Sequence, residues 1–384
     1  MPRPRPIVTE SHGTRPPRYP LARPALDGRE REYLLAAFDS GRVSSSGHFV
    51  DKFEREFSAY IGTRHGITVS NGTAALHLAL MAAEVGRYDE VVVPDLSFVA
   101  PANMVRQVCA KPVFADCNRA YWGIDIDTVK KCITKKTKAV IVVHLYGHPV
   151  DLDPILEFCQ SRGIVVIEDC AEAHGARYRG KRVGKFGSIG CFSFYGNKLL
   201  TTGEGGMCVT DNPTFNEKLR LLRDHGADRS RHFWHPIVGF NYRMTNLQAA
   251  IGCAQLESIE RRIAAYRRIG RSYSWELNQA FGSSVTLHPE MDWATCVFWM
   301  YTFVIPNLRE KKRDELISKL RRVGIETRPM FYPISMLPPY LSGKKNTWSS
   351  AISKTGLSLP TYSGLNEEDI QAIVESVVRC FKSL

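Results

Sequence analysis

Residues 139–170, AVIVVHLYGHPVDLDPILEFCQSRGIVVIEDC, read as strand, helix and strand. Two β-branched runs, 139–145 and 164–170, flank residues 153–163, in which Ile155, Leu156 and Cys159 recur at helical spacing. Strands without polar alternation are buried on both faces, and a helical crossover of this kind joins parallel neighbours. The same alternation runs upstream: GITVSNG (66–72) is a strand closing in a turn, TAALHLALMAA (73–83) a helix, and EVVVPDL (90–96) a strand. FVAPANMVRQV (98–108) is again a helix and KPVFADC (111–117) a strand. The pattern predicts an α/β fold with a mostly parallel sheet covered on both faces. In such sheets ligands gather at the carboxyl ends of the strands.

The residues at those ends are chemically distinctive. Ser70, Asn71, Gly72 and Thr73 close one strand and open a helix, so free N–H groups and the helix dipole offer an anion site; capping by Ser70 or Asn71 is the plainer reading. Asp169 ends an apolar strand, where a carboxylate needs a cationic partner, whether a salt bridge or a protonated ring nitrogen. Phe98, after VVVPDLS, is either core or a stacking surface for a planar ligand. Further on, SIGCFSFYGNKLLTTGEGGMCVTD (188–211) sets Lys198 and a glycine-rich turn between two apolar strands, Ile189–Phe194 and Met207–Thr210. A lysine so placed is partly desolvated, which favours the neutral nucleophilic amine able to form a Schiff base; a surface lysine in a hairpin is the alternative.

One ligand meets all four demands. Pyridoxal 5'-phosphate has an aldehyde for Lys198, a phosphate for Gly72 and Thr73, a pyridine nitrogen for Asp169 and a flat ring for Phe98. Lys198 and Asp169 are therefore the expected catalytic residues.

SNGTAALHLAL, VVVPDLSFVAPAN, IEDCAEAHGA, FSFYGNKLLTTGEGGM and NYRMTNLQAAIGCAQL resemble, in order and spacing, the motifs of the DegT/DnrJ/EryC1/StrS family of PLP-dependent sugar aminotransferases, from about residue 41 to the C-terminus. The resemblance implies an aspartate-aminotransferase-like, fold type I large domain and a smaller α+β C-terminal domain. It adds Ser193 as a phosphate contact and Asn241 as a residue reaching the phosphate of a partner subunit's cofactor, which implies a homodimer with shared sites. Glu172 and the GNKLLTTGEGG run look most like the branch that aminates a nucleotide-linked 4-keto-6-deoxyhexose, here expected to be GDP-linked, with L-glutamate as donor. Another keto sugar or a cyclitol is the alternative acceptor. A related dehydratase branch carries histidine in place of the lysine, and Lys198 argues against it. A non-enzymatic PLP-binding regulator has only the basic charge in its favour.

The remaining chain frames this centre. Residues 1–28, rich in proline and arginine, read as an extended arm, residues 29–255 as the PLP-binding domain and 256–384 as the C-terminal domain. Residues 245–281 read as one very long helix with Thr245 as N-cap, FWMYTFVIP (298–306) as a strand, and Asn366 as the cap of a last helix. The loop from 223 to 241 carries Arg229, Arg231, His232, Trp234 and His235, a density suited to a subunit interface. The formal charge of +12 is dispersed and accompanies no nucleic-acid module, so a phosphorylated substrate is the expected anionic partner. Ten scattered cysteines without a CxxC pair suit a reducing compartment; with neither an apolar leader nor a membrane-length run, the expectation is a cytoplasmic protein. His144 and His148 stand four apart, but Gly147 and Pro149 disfavour the helix a zinc pair would need, and RHFWH (231–235) lacks companion ligands.

Overall fold

A computed structural model describes residues 16–228, 230–341 and 346–384. Arg229 and residues 1–15 of the expected arm lie outside the described residues. In chain order the helices are α1 (Glu30–Asp39), α2 (His48–Ile61), α3 (Gly72–Ala82), α4 (Ala100–Gln107), α5 (Ile126–Lys130) and α6 (Leu152–Gln160), followed by α7 (Pro213–Arg223), α8 (Asn246–Glu257), α9 (Ile259–Phe281), α10 (Glu310–Arg322), α11 (Thr347–Thr355) and α12 (Glu367–Lys382).

The main sheet has seven strands: β1 (His65–Val69), β2 (Glu90–Pro94), β3 (Lys111–Ala115), β4 (Thr137–Val143), β5 (Val165–Asp169), β8 (Ile189–Ser193) and β9 (Gly206–Thr210), in the spatial order β1-β9-β8-β5-β4-β2-β3. Only β9 runs against the rest, pairing antiparallel with both β8 and β1. The connection from β8 to β9 contains no helix, so the chain folds back as a hairpin where a parallel return would need a crossover. The consequence is positional: the ends of β1, β2, β4, β5 and β8 and the start of β9 all meet along one edge.

Side-chain alternation explains why these strands read as unbroken apolar runs. On β4, Val140 and Val142 enter one core with Phe53, Phe57 and Phe194, whereas Ala139, Ile141 and Val143 enter another with Leu76, Leu78 and Leu80 of α3. Both faces are dry, as a helix-covered parallel sheet requires. A third core, built on Ile269, Tyr273, Phe303, Leu316 and Val377, lies in the C-terminal part beside a three-stranded antiparallel sheet of β11 (Thr302–Val304), β12 (Arg328–Pro329) and β13 (Gly356–Ser358). A small sheet of β6 (Arg177–Tyr178), β7 (Lys181–Arg182) and β10 (Ala294–Thr295) completes the strands. The arm from residue 16 is extended and tied down where Tyr19 N–H donates to Gly324 O at 2.9 Å and Glu326 N–H to Tyr19 O at 2.9 Å.

Two expectations need correction. The single helix over 245–281 is two, broken at Ser258 (φ −113°, ψ 11°), where the Gln255 carbonyl accepts from both Ser258 Oγ and Arg262 Nη1. Side chains there take up a carbonyl at the point where the ladder stops. The strand expected over 298–306 shrinks to Thr302–Val304, because its partner β13 offers only three residues of pairing. Thr245 and Asn366 do cap their helices, each in a reciprocal capping box.

One polar feature of this core supports a stability prediction. Glu54, 7% exposed, accepts from Thr68 N and Oγ1 at 2.9 Å, Arg220 Nη1 at 2.8 Å and Arg223 Nη1 at 2.5 Å. Burial pushes its carboxyl up, but Arg223 and Arg220 outweigh that and hold it below the usual glutamate range. Glu54→Ala would strand Arg223 in the interior, and urea denaturation is expected to show a loss of about 3–5 kcal/mol at neutral pH. Since the folded carboxyl titrates below its unfolded value, the contribution is complete above the unfolded pKa and shrinks as pH falls through the folded one. A loss below about 1 kcal/mol would mean that the pair is solvated in practice.

Candidate active site

The shared edge opens into a cavity of about 710 Å³ lined by Gly72, Thr73, Phe98, Asp169, Glu172, Ser193 and Lys198. These come from five separate segments. Asn241, the remaining expected residue, does not line it; it is exposed, and its Oδ1 accepts from Arg243 Nε at 2.9 Å. Its neighbour Tyr242 does line the cavity.

The start of α3 forms one wall. Asn71 caps the helix by accepting from Ala74 N at 2.8 Å, which leaves the N–H groups of Gly72 and Thr73, the first two of the helix, without an intrahelical acceptor. Glycine is needed at 72 because a Cβ there would fall 2.6 Å from Ser193 Cβ. The β8 end, with its hydroxyl, is thereby drawn close to the helix N-terminus, whose dipole favours an anion.

Asp169 closes β5, 7% exposed. Its Oδ1 accepts from Ala171 N at 3.0 Å, and no other side-chain or backbone donor reaches it among the described residues. Burial raises its carboxyl above the ordinary aspartate range, partly offset by that N–H and by the charges of Lys198 and His144. Glu172, 4% exposed, accepts from Tyr146 N at 2.7 Å. Burial lifts it to about 7, against the pull of Lys198 and the Tyr146 N–H and with a push from Asp169.

Lys198 stands in the β8–β9 hairpin, held where its N–H donates to Tyr195 O at 2.9 Å. Its Nζ lies 3.6 Å from the centre of the Trp299 ring, and Trp299 Nε1 donates to Asn197 O at 2.6 Å. Burial lowers the ammonium below the usual lysine range, while Glu172 and Asp169 pull it back. The cavity therefore holds a lysine eased toward its neutral form and two carboxyls eased toward theirs. Such a set can exchange protons within the cavity. Phe98, 54% exposed, presents its ring 5.9 Å from that of Phe331.

Outside the cavity, His144 and His148 spend both ring nitrogens within the fold. His144 Nδ1 accepts from Val150 N at 3.0 Å and Nε2 faces Glu168 Oε2 at 3.1 Å. His148 Nδ1 donates to Pro149 O at 2.7 Å and Nε2 accepts from Met291 N at 3.1 Å.

Sequence reasoning did not select Tyr146, Trp299, Arg328 or Phe331, all of which line the cavity. Tyr146 follows the end of β4, so the strand-end rule could have found it. Trp299, Arg328 and Phe331 arrive from the C-terminal third with no local pattern to mark them. Arg328 is half exposed and contacts Glu326 only at 3.5 Å, so its charge is largely available to the cavity.

The geometry can be set beside known proteins. The DegT/DnrJ/EryC1/StrS aminotransferase family matches residues 24–378. The chain is 45% identical over 363 residues to a GDP-perosamine synthase of Caulobacter vibrioides, covering 94% of this chain and 98% of that protein. It is 41% identical over 359 residues to the GDP-perosamine synthase of Escherichia coli O157:H7, covering 93% and 97%. Among solved structures, 3-amino-5-hydroxybenzoic acid synthase superimposes with a TM-score of 0.89 at 29% identity, covering 96% of this chain and 100% of that one. On its sequence, its fold and the residues gathered at its strand ends, this chain belongs to the DegT/DnrJ/EryC1/StrS aminotransferase family.

Proposed function

We propose that the cavity binds pyridoxal 5'-phosphate and that the protein transfers the amino group of L-glutamate to C4 of a GDP-linked 4-keto-6-deoxyhexose. The observation that carries this reading is the meeting, in one cavity, of Lys198, two buried carboxyls and an open helix N-terminus. The likeness to two GDP-perosamine synthases supports the acceptor.

The residues present fit the cofactor. Gly72 and Thr73 N–H groups with the Ser193 hydroxyl suit a phosphate, Asp169 lacks a strong cationic partner of its own, and Phe98 offers a flat face. When bound, the cofactor supplies the electron sink for the substrate carbon. Asp169 would hold the proton on the ring nitrogen. Lys198 Nζ, whose neutral form burial favours, would take the proton from the donor's α-carbon and in the second half return one to the sugar carbon. Glu172 stands beside that exchange, and Arg328 offers positive charge to an anionic group of either substrate. Trp299 and Phe331 shield the reacting end from water.

The direct test is glutamate alone. Added to the holoenzyme, it should remove the visible absorption band and release one 2-oxoglutarate per cofactor. Retention of the band with no 2-oxo acid would refute the transaminase reading for this cavity.

The homodimer belongs to the same proposal. Phe233, Trp234 and Val238 are exposed on the 225–240 loop, with Arg231 stacked 4.1 Å from the Trp234 ring centre. An isologous interface over this loop would bring Asn241 to the cofactor phosphate in the partner's cavity, reciprocally. Mixing Lys198→Ala with Asn241→Asp protein then has a distinctive outcome. Each hybrid dimer regains one working site, so an exchanged equimolar mixture should recover about a quarter of wild-type activity. Proven exchange without recovery would place the whole site in one chain.

A further inference from the structure

The turn after β4 presents an unusual backbone to the cavity. Tyr146 has φ 50° and ψ 28°, the left-handed region that residues with side chains enter at a cost, and it is 1% exposed. Three contacts from the C-terminal third of the chain hold it there. Its ring lies parallel to Phe331, 5.4 Å between centres and 5° between planes. Its hydroxyl accepts from Phe331 N at 3.3 Å. The carbonyl of the next residue, Gly147 (φ 86°), accepts from Val297 N at 3.1 Å.

What this conformation achieves is one hydrogen bond. The Tyr146 N–H points at Glu172 Oε2, 2.7 Å away, and it is the one side-chain or backbone donor on that carboxyl among the described residues. With the chain that follows held by Phe331 and Val297, an αR or extended residue at 146 would rotate its N–H about the N–Cα bond away from that carboxyl. Resting on the aminotransferase reading above, we propose that Tyr146 is a positioning residue whose strained backbone fixes the Glu172 carboxylate at the reacting end of the cavity, while Phe331 and Val297 hold Tyr146 in that strain.

The consequence is electrostatic. An N–H bond favours the ionised carboxyl, so losing it should raise the pH at which Glu172 gains its charge. Lys198 and Glu204 on the hairpin, Asp169 on β5 and Arg328 across the cavity are, among the described residues, the charged groups lining the same space. None of them is altered by a change at Tyr146.

The experiment uses holoenzyme loaded with pyridoxal 5'-phosphate and follows its visible band against pH. Wild type should show a transition near neutral pH that Glu172→Gln lacks, which assigns it to Glu172. Tyr146→Ala should move the transition up by about one pH unit and lower kcat about tenfold with little change in KM. Tyr146→Gly loses the same ring but reaches positive φ without steric cost, so it should shift by less than half as much. Tyr146→Phe keeps ring and backbone and should titrate like wild type, which preserves the test should the alanine variant fold poorly. Equal shifts in the alanine and glycine variants, a phenylalanine variant shifted as far as alanine, or a wild type without any Glu172-dependent transition would each overturn the assignment. A wild-type protein that forms no visible band at all would instead overturn the reading on which it rests.

Discussion

Lys198→Ala is expected to reduce turnover by at least about three orders of magnitude, because it removes the one lysine lining the cavity among the described residues, the group proposed to carry the substrate proton. The cofactor should still associate. The proposed phosphate contacts at the α3 start and Ser193, and the carboxylate of Asp169, come from segments other than the hairpin turn that bears the lysine. Single-turnover reaction with glutamate measures the first effect and equilibrium dialysis of pyridoxal 5'-phosphate the second. Near-normal transamination by the variant would remove Lys198 from the chemistry. The backbone of the turn should hold, since Lys198 makes its positioning bond through its backbone N–H, while the variant loses the contact with the Trp299 ring and the charge facing Glu172 and Asp169.

Asp169→Asn is the second large effect. The change keeps size and the Ala171 N–H bond but removes the charge proposed to hold a proton on the ring nitrogen. Turnover should fall by about two to three orders of magnitude, as when one electrostatic stabiliser is lost from a preorganised site. The deficit should sit in the proton step, so glutamate deuterated at the α-carbon should show a larger isotope effect in the variant than in wild type. Half-reactions at wild-type speed would contradict the assignment. In the cofactor-free protein burial raises the Asp169 carboxyl, so acidification should weaken cofactor binding already above the ordinary aspartate range, a titration that the asparagine variant lacks.

How far these residues were readable from sequence depends on what kind of constraint placed them. Strand ends are local: β4 and β5 are β-branched runs with turn residues after them, so the sheet, Asp169 and the α3 N-terminus follow from pattern and geometry alone. The place of Lys198 in a turn between two apolar strands was equally legible, and those strands pair in register, Ser193 with Gly206 and Cys191 with Cys208, but its role was not fixed by that stretch alone. The break at Ser258 was hidden because burial continues across it. Ile259, Ile263 and Tyr266 keep the apolar face that Ala250, Cys253 and Ala254 begin, and only side-chain bonds to the Gln255 carbonyl mark the interruption. Trp299, Arg328 and Phe331 lay beyond local reading for a different reason. Trp299 sits where α9 spans two cores, its first half sharing a cluster with Met300 and Trp299 and its second half with Phe298 and Tyr301, while Phe331 packs beside Tyr146 and Met330 in a further cluster. That long-range packing has no period in the sequence. Asn241 was readable only through family resemblance, and its place outside its own chain's cavity leaves the hybrid-dimer experiment as its test.

The measurement that bears most directly on the central claim is identification of the product formed from glutamate and a GDP-linked 4-keto-6-deoxyhexose by nuclear magnetic resonance. The proposed function predicts a new amino group at C4 of the sugar, with one 2-oxoglutarate formed for each product and neither formed by Lys198→Ala protein. Amination at C3, or turnover only with a ketone that carries no nucleotide, would contradict it.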